Sequence, residues 1–150
     1  METLAFTDAL VSHAAASGFF DRVNKHEPKS APGNGLTAAV WFQKVTSFPA
    51  GSGLAETAGL LEFTLRIYLN MLSEPQDYID PHVLEATDAM LAAYSGDFQL
   101  DGLIRNVDLL GESGTRLEAR SGYLDIDKTK FRVVDVTIPL IVSAAWTQTP

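Results

Sequence analysis

Residues 80–96 read DPHVLEATDAMLAAYSG, and the fold turns on how this stretch is read. Asp80 stands where a carboxylate caps a first turn, and Pro81 stands at the first helical position, where its missing N–H costs nothing. Val83, Leu84, Ala86, Met90, Leu91 and Tyr94 recur at helical spacing, and Gly96 offers the left-handed conformation that closes a helix. Pro81, Glu85, Asp88 and Ala92 fall on the opposite, acidic stripe. The segments before and after alternate apolar and polar residues, so the pattern predicts a helix that covers a sheet drawn from both halves of the chain.

Upstream, Leu60–Asn70 carries the strongest strand signal. Leu61, Phe63, Leu65, Ile67 and Leu69 are apolar, with Glu62, Thr64, Arg66, Tyr68 and Asn70 between them. A period of two held this long puts one face in a core and the other toward polar surroundings. Leu36–Val45 predicts a second strand, with Leu36, Ala38, Val40 and Phe42 on one side and Trp41 on the other. Between them SFPAGSGLAET (residues 47–57) breaks the pattern. Phe48 and Leu54 make it either a contact arm or an ordinary loop folding two apolar residues back on the core. Residues 3–17 predict a helix capped by Thr3, with Leu4, Leu10, Val11, Ala14 and Ala15 on one side and Gly18 as its stop.

Downstream, Leu103–Leu110 and Arg116–Ile126 read as strands separated by a turn at Glu112-Ser113-Gly114. After a turn at Asp127-Lys128-Thr129 comes a long strand, Phe131 to about Trp146. Val134, Val136, Ile138, Leu140 and Val142 share one of its faces. Pro139 lacks the donor a central ladder needs, which predicts an edge position or a bend. A long apolar edge invites pairing with another chain, so these five residues are the expected subunit-edge strand. The expected order is α-β-β-α-β-β-β, an α+β fold with helices on a mostly antiparallel sheet, in a single domain spanning residues 1–150.

Charge narrows the function. The net charge is −8, and residues 51–100 hold only Arg66 against eight acids. From Glu74 to Asp101 there are seven acids and no Lys or Arg. That run is either a solvated helix face or a surface that repels phosphate or meets a basic partner. Gripping nucleic acid by its backbone requires clustered Lys and Arg, so that class is disfavoured. With no cysteine, disulfides and thiolate chemistry are excluded. METLAFTDAL puts acids where a basic leader segment should be, and no run approaches about 18 apolar residues, so a non-secreted chain with no membrane span is expected.

Catalytic signatures are scarce. His13, His26 and His82 lie far apart in sequence, and only His26 has a carboxylate beside it, Glu27. Asp80 and His82 do not share a helix face and make a poor metal pair. Gly33-Asn34-Gly35 and Gly51-Ser52-Gly53 lack the Lys-Ser/Thr of a phosphate loop, and no GxSxG elbow occurs. The expectation is a chain that is not an enzyme and carries no cofactor or metal. A small enzyme with a site around His26, Asp21 and Glu27, or a ligand-binding module, is the alternative.

Three phrases together resemble the tail terminator proteins of long, non-contractile-tailed bacteriophages. They are HEPKSAPGNGLTAAVWF (His26–Phe42), TLRIYLNMLSEPQDYIDP (Thr64–Pro81) and the stretch from DFQLDGLIRNVDLLGESG (Asp97–Gly114) through to TIPLIV (Thr137–Val142). The resemblance implies a small α+β subunit of the virion, assembled in the host cytoplasm as a ring, typically a hexamer, at the head-proximal end of the tail tube. Such a ring ends tube polymerisation and provides the head-docking surface. Its implied partners are copies of itself, the tail tube protein, a head-completion or connector protein, and DNA that passes without specific binding. Within that picture Glu85 and Asp88 are candidates for an acidic channel or partner face, and Phe48 and Leu54 for a tube or connector contact. A neighbouring neck protein of the same fold group, whether head-completion or tube subunit, is the near alternative.

Overall fold

The computed structural model describes residues 1–49 and 53–149. The chain is α+β: helix α1 (Thr3–Ala16), strands β1 (Arg22–Asn24), β2 (Thr37–Phe48) and β3 (Glu56–Asn70), helix α2 (Ile79–Gly96), then β4 (Asn106–Val107), β5 (Glu118–Ile126) and β6 (Thr129–Thr147). Among the described residues the strands form one sheet in the order β1-β2-β3-β6-β4, with β5 also on β6. The sheet is mixed: β1 runs parallel to β2, and the remaining pairs are antiparallel. The short strand β1 and its parallel pairing were not expected. Three residues inside a turn-rich stretch give periodicity nothing to detect.

Alternation in β3 is realised as expected. Leu61, Phe63, Leu65, Ile67 and Leu69 are buried on one face. Opposite them in register on β6 stand Leu140, Ile138, Val136, Val134 and Arg132. Both helices pack on this face, through Phe6, Leu10 and Ala14 of α1 and Val83, Ala86, Met90 and Tyr94 of α2. Burying each of the larger of these side chains contributes roughly 1.5–3 kcal/mol. The other face carries a smaller apolar cluster, Ala39, Tyr68, Phe131 and Val133, with Ala31 laid over it. That overlying loop is pinned where the Ala31 N–H donates to Asp127 Oδ2 at 2.8 Å.

Helix α2 begins two residues earlier than its sequence signals, at Ile79 and not at Pro81, continuing a 3-10 turn over Gln76–Tyr78. Asp80 therefore makes no cap; its carboxylate accepts from Arg132 Nε at 2.9 Å. Gly96 stays within the helix, and the chain leaves at Asp97. Leu84, expected on the apolar face, points outward, as does Leu4 of α1. Thr3 does not cap α1, which makes no side-chain capping bond.

The largest correction concerns Phe131–Trp146. β6 is not an edge strand: β3 pairs along one side, while β5 and then β4 pair along the other. Val136, Ile138 and Leu140 are fully buried, with Val134 and Val142 nearly so, which leaves none of the five for another subunit. Pro139 is tolerated for a local reason. A strand residue aims its N–H and C=O toward the same neighbour. The Pro139 carbonyl accepts from Asp108 N–H on the β4 side at 2.8 Å. The missing donor therefore falls where β5, ending its pairing at Thr137, hands over to β4, starting at Leu140.

Candidate functional site

Two of the longer stretches of sheet edge are open among the described residues. On one flank β1 covers only Thr37–Ala39 of β2, so Trp41–Ser47 have no strand on their outer side among the described residues. On the other flank β5 pairs with β6 alone among the described residues, which leaves its outer side without a strand along Glu118–Ile126.

A bulge shapes the first flank. The β2–β3 register shifts between Phe42 and Lys44, so Gln43 is the extra residue. Phe42 and Val45 consequently face the same way, opposite Phe63 and Leu61, on the helix-covered side. No helix reaches over them: Phe42 is 66% exposed and Val45 45%. With Leu4, Thr3 and Thr7 of α1 they line an apolar groove of about 380 Å3 floored by Leu61 and Phe63. Lys44 emerges on the opposite face, in register with Glu62, and makes no ion pair among the described residues.

The second flank is the counterpart. A groove of about 530 Å3 runs between α2 and β5, lined by Pro81, Leu84, Thr87, Ala119, Ser121 and Val134. Ala119, Ser121 and Tyr123 stand opposite Val136, Val134 and Arg132, so they too face the helical layer. Leu84 and Tyr123 are exposed beside it. Arg132 forms part of its floor, holding Asp80 through Nε, donating from Nη1 to the Gly122 carbonyl at 3.1 Å and lying 4.5 Å over the Tyr123 ring.

The expected site residues are dispersed. Glu85 and Asp88 both lie exposed on the outer side of α2, where Glu85 accepts from the Tyr78 hydroxyl at 3.2 Å. Phe48 is no contact residue. β2 extends to it, and it is buried with Ala58, Leu60 and Ile141, with the Arg105 guanidinium 5.9 Å over its ring. Leu54, at 98% exposure, is the only part of that expectation left on the surface; residues 50–52 of the same loop lie outside the described residues.

Polar groups elsewhere act as structural ties. On the sheet face away from the helices Arg66 grips Asp135 through two bonds, Nε–Oδ1 at 2.5 Å and Nη2–Oδ2 at 2.9 Å, with Glu27 at 3.7 Å and the Trp41 ring 5.2 Å away. The bond and charge of Asp135 outweigh burial and raise the Arg66 pKa further. Glu27 thus turns to Arg66, and His26 is exposed. His13 Nε2 meets Asp97 Oδ2 at 2.8 Å and sets its ring edge-on to Tyr94, joining α1 to the end of α2. Asp97 is held below the usual carboxylate range by the Asp101 N–H and by His13. Burial pushes the Tyr94 phenol up, and its hydroxyl donates to the Leu10 carbonyl. No group of three or more metal-ligating side chains converges among the described residues. None of their helices is long and apolar enough to cross a membrane.

Compared with models of known protein families and with curated proteins, the chain matches none. Its function is therefore argued from the two flanks. Sequence reasoning missed both. Leu4 and Leu84 each read as part of an apolar helical face, and only the bulge at Gln43 tells which way Val45 points.

Proposed function

We propose that this chain is a structural virion subunit that assembles with copies of itself into a ring, typically hexameric, on the head-proximal end of a phage tail tube. In that role it ends tube polymerisation and offers the surface on which the head docks. One observation carries the reading: the Trp41–Ser47 edge of β2 is open, and beside it Phe42 and Val45 sit exposed in an apolar groove. A strand edge with an apolar neighbour is a liability for a lone chain and a template for a second one. The three phrases resembling tail terminators direct that general conclusion to a tail. The solvent-facing acids of α2, Glu85 and Asp88, suit a wall past which DNA slides without adhering.

The test is native mass measurement of the full chain at micromolar concentration, followed by mixing with tail tube subunits. A closed ring that shortens tubes to a uniform length is the expected result. A ring that leaves tube length unchanged moves the assignment to a neighbouring neck protein. A lone chain with no effect on tubes removes the reading altogether.

A further inference from the structure

We infer that the two open flanks are the two halves of one head-to-tail contact. The Trp41–Ser47 edge of one copy, bearing Phe42, Val45 and Lys44, docks against the β5 edge and the α2 groove of the next. This rests on the reading that the chain assembles with itself, and it adds which surfaces meet and with what symmetry.

Geometry supports the pairing first. Phe42 and Val45 lie on the helix-covered face of the sheet, and so do Ala119, Ser121 and Tyr123. A sheet continued from β2 of one copy to β5 of the next keeps the helices of both copies on the same side. α1 of one and α2 of the other then flank the seam. Leu4 and Leu84, the two outward leucines of these helices, close over Phe42 and Val45. Each groove supplies what its opposite lacks: one has protruding aromatic and branched side chains, while the other has the small Ala119 and Ser121 at its wall.

Charge supports it independently. Between Glu27 and Glu56 the only charged residues are Lys29 and Lys44. From Glu74 to Asp101 every Asp, Glu, Lys or Arg is an acid, and these include Glu85 and Asp88 on the helix bordering the β5 groove. Lys44 thus stands at the β2 edge without an ion pair among the described residues, while the α2 side of the other groove is acidic and its Arg132 is already held by Asp80, so Lys44 meeting that acidic side favours unlike flanks. On the sheet face away from the helices Lys44, opposite Glu62, is brought toward Glu118, which stands opposite Thr137 and holds Arg116 at 3.3 Å within its own chain. The bulge at Gln43 and the charge of Lys44 blunt the β2 edge against indiscriminate pairing, so the partner must match its shape. Contact between unlike patches is heterologous, and it generates a ring when its rotation closes.

The experiment blocks one flank at a time and weighs the products by native mass spectrometry. Phe42→Asp spoils the β2 flank, and Leu84→Arg combined with Ala119→Arg spoils the β5 flank; all three positions are exposed, and circular dichroism checks that each variant is folded. Each variant alone should fall from the ring to a single chain, with association weakened by more than about tenfold. An equimolar mixture should give a species of two unlike chains and nothing larger, because one intact edge and one intact groove remain. Homodimers of either variant mean that like flanks pair, and the inference fails. Rings that survive both changes, or a mixture that stays monomeric, overturn the surface assignment while leaving self-assembly standing. A wild-type chain that is itself monomeric overturns the proposed function instead. Should any of the three substitutions unfold the chain, Lys44→Glu and Glu118→Lys give a second route: each alone weakens the ring and the pair together restores it.

Discussion

β6 and the outer half of β2 carry much the same signal and meet opposite fates. Both are apolar strands with an irregularity, Pro139 in one and the Gln43 bulge in the other. β6 has a strand on each side and its inward residues are buried, whereas Phe42 and Val45 of β2 lie open to solvent. Hydropathy along a strand reports which face can be buried. Which neighbours the strand acquires is decided by segments elsewhere, here β4 and β5; both stretches read as strands in the sequence, β4 shorter than expected, but neither pattern says which strand it pairs with. The proline warned of a missing hydrogen bond and nothing more.

That contrast can be broken most directly in the lone chain. Ile138 is fully buried opposite Phe63, so Ile138→Ala should cost about 2–5 kcal/mol in urea unfolding. Phe42→Ala, in protein too dilute to associate, should change stability by no more than roughly 0.5 kcal/mol. Equal losses at the two positions would mean that β2 is covered within its own chain, and both assembly proposals would lose their footing.

Much of the fold was legible where long-range pairing and local pattern agree. The alternation of Leu61 to Leu69 and the spacing of Val83, Ala86, Met90 and Tyr94 need one buried face each, and each found it. Termini were less legible. Asp80 looks like a cap in sequence, but a 3-10 turn already precedes the helix, which frees its carboxylate for Arg132, 52 residues away. The site was nearly illegible. An exposed Leu4 and a buried Phe6 differ in how α1 is rotated on the sheet, and that is set by packing against β2 and β3 and not by the helix's own composition.

A second way to sharpen the contrast is to loosen what makes β6 interior. Asp108 is a buried hub. Its Oδ1 accepts from the N–H groups of Gly111 and Glu112, and its Oδ2 accepts from the N–H and hydroxyl of Ser113. Burial alone would raise its pKa; the Ser113 hydroxyl and the three N–H donors together outweigh burial and hold it below the usual range. Asp108→Asn turns an acceptor toward Ser113 into a donor and should cost roughly 1–3 kcal/mol. Because the folded-state pKa is depressed, the carboxylate's contribution is present above its unfolded value of about 4 and is lost as pH falls through the folded value. The stability gap between wild type and Asp108→Asn should therefore narrow below about pH 4, and a gap independent of pH would count against the hub. Hydrogen exchange should quicken at the Arg105 and Asp108 amides, which bond to Ile141 and Pro139 of β6, and stay slow in the β3–β6 ladder.

An effect smaller than the losses at Ile138 and Asp108 is expected at the turn that lays β5 against β6. Ile126 pairs with Thr129, so the hairpin loop is two residues long, and both adopt positive φ: 52° at Asp127 and 66° at Lys128. That is the type I′ geometry, which matches the right-handed twist of the strands and favours glycine at its second position. Lys128 holds a left-handed conformation that its Cβ disfavours, so Lys128→Gly should stabilise the chain by a few tenths to about 1 kcal/mol. Asp127 is a poor choice for the same change, because its carboxylate holds the Ala31 N–H and with it the loop over Tyr68 and Phe131. Unfolding midpoints of Lys128→Gly and wild type decide the matter. A loss of stability would indicate that the loop is not a type I′ turn. In that event the register of β5 could slip by a residue, carrying Ala119 and Ser121 to the other face and removing the wall of the groove on which the head-to-tail contact depends.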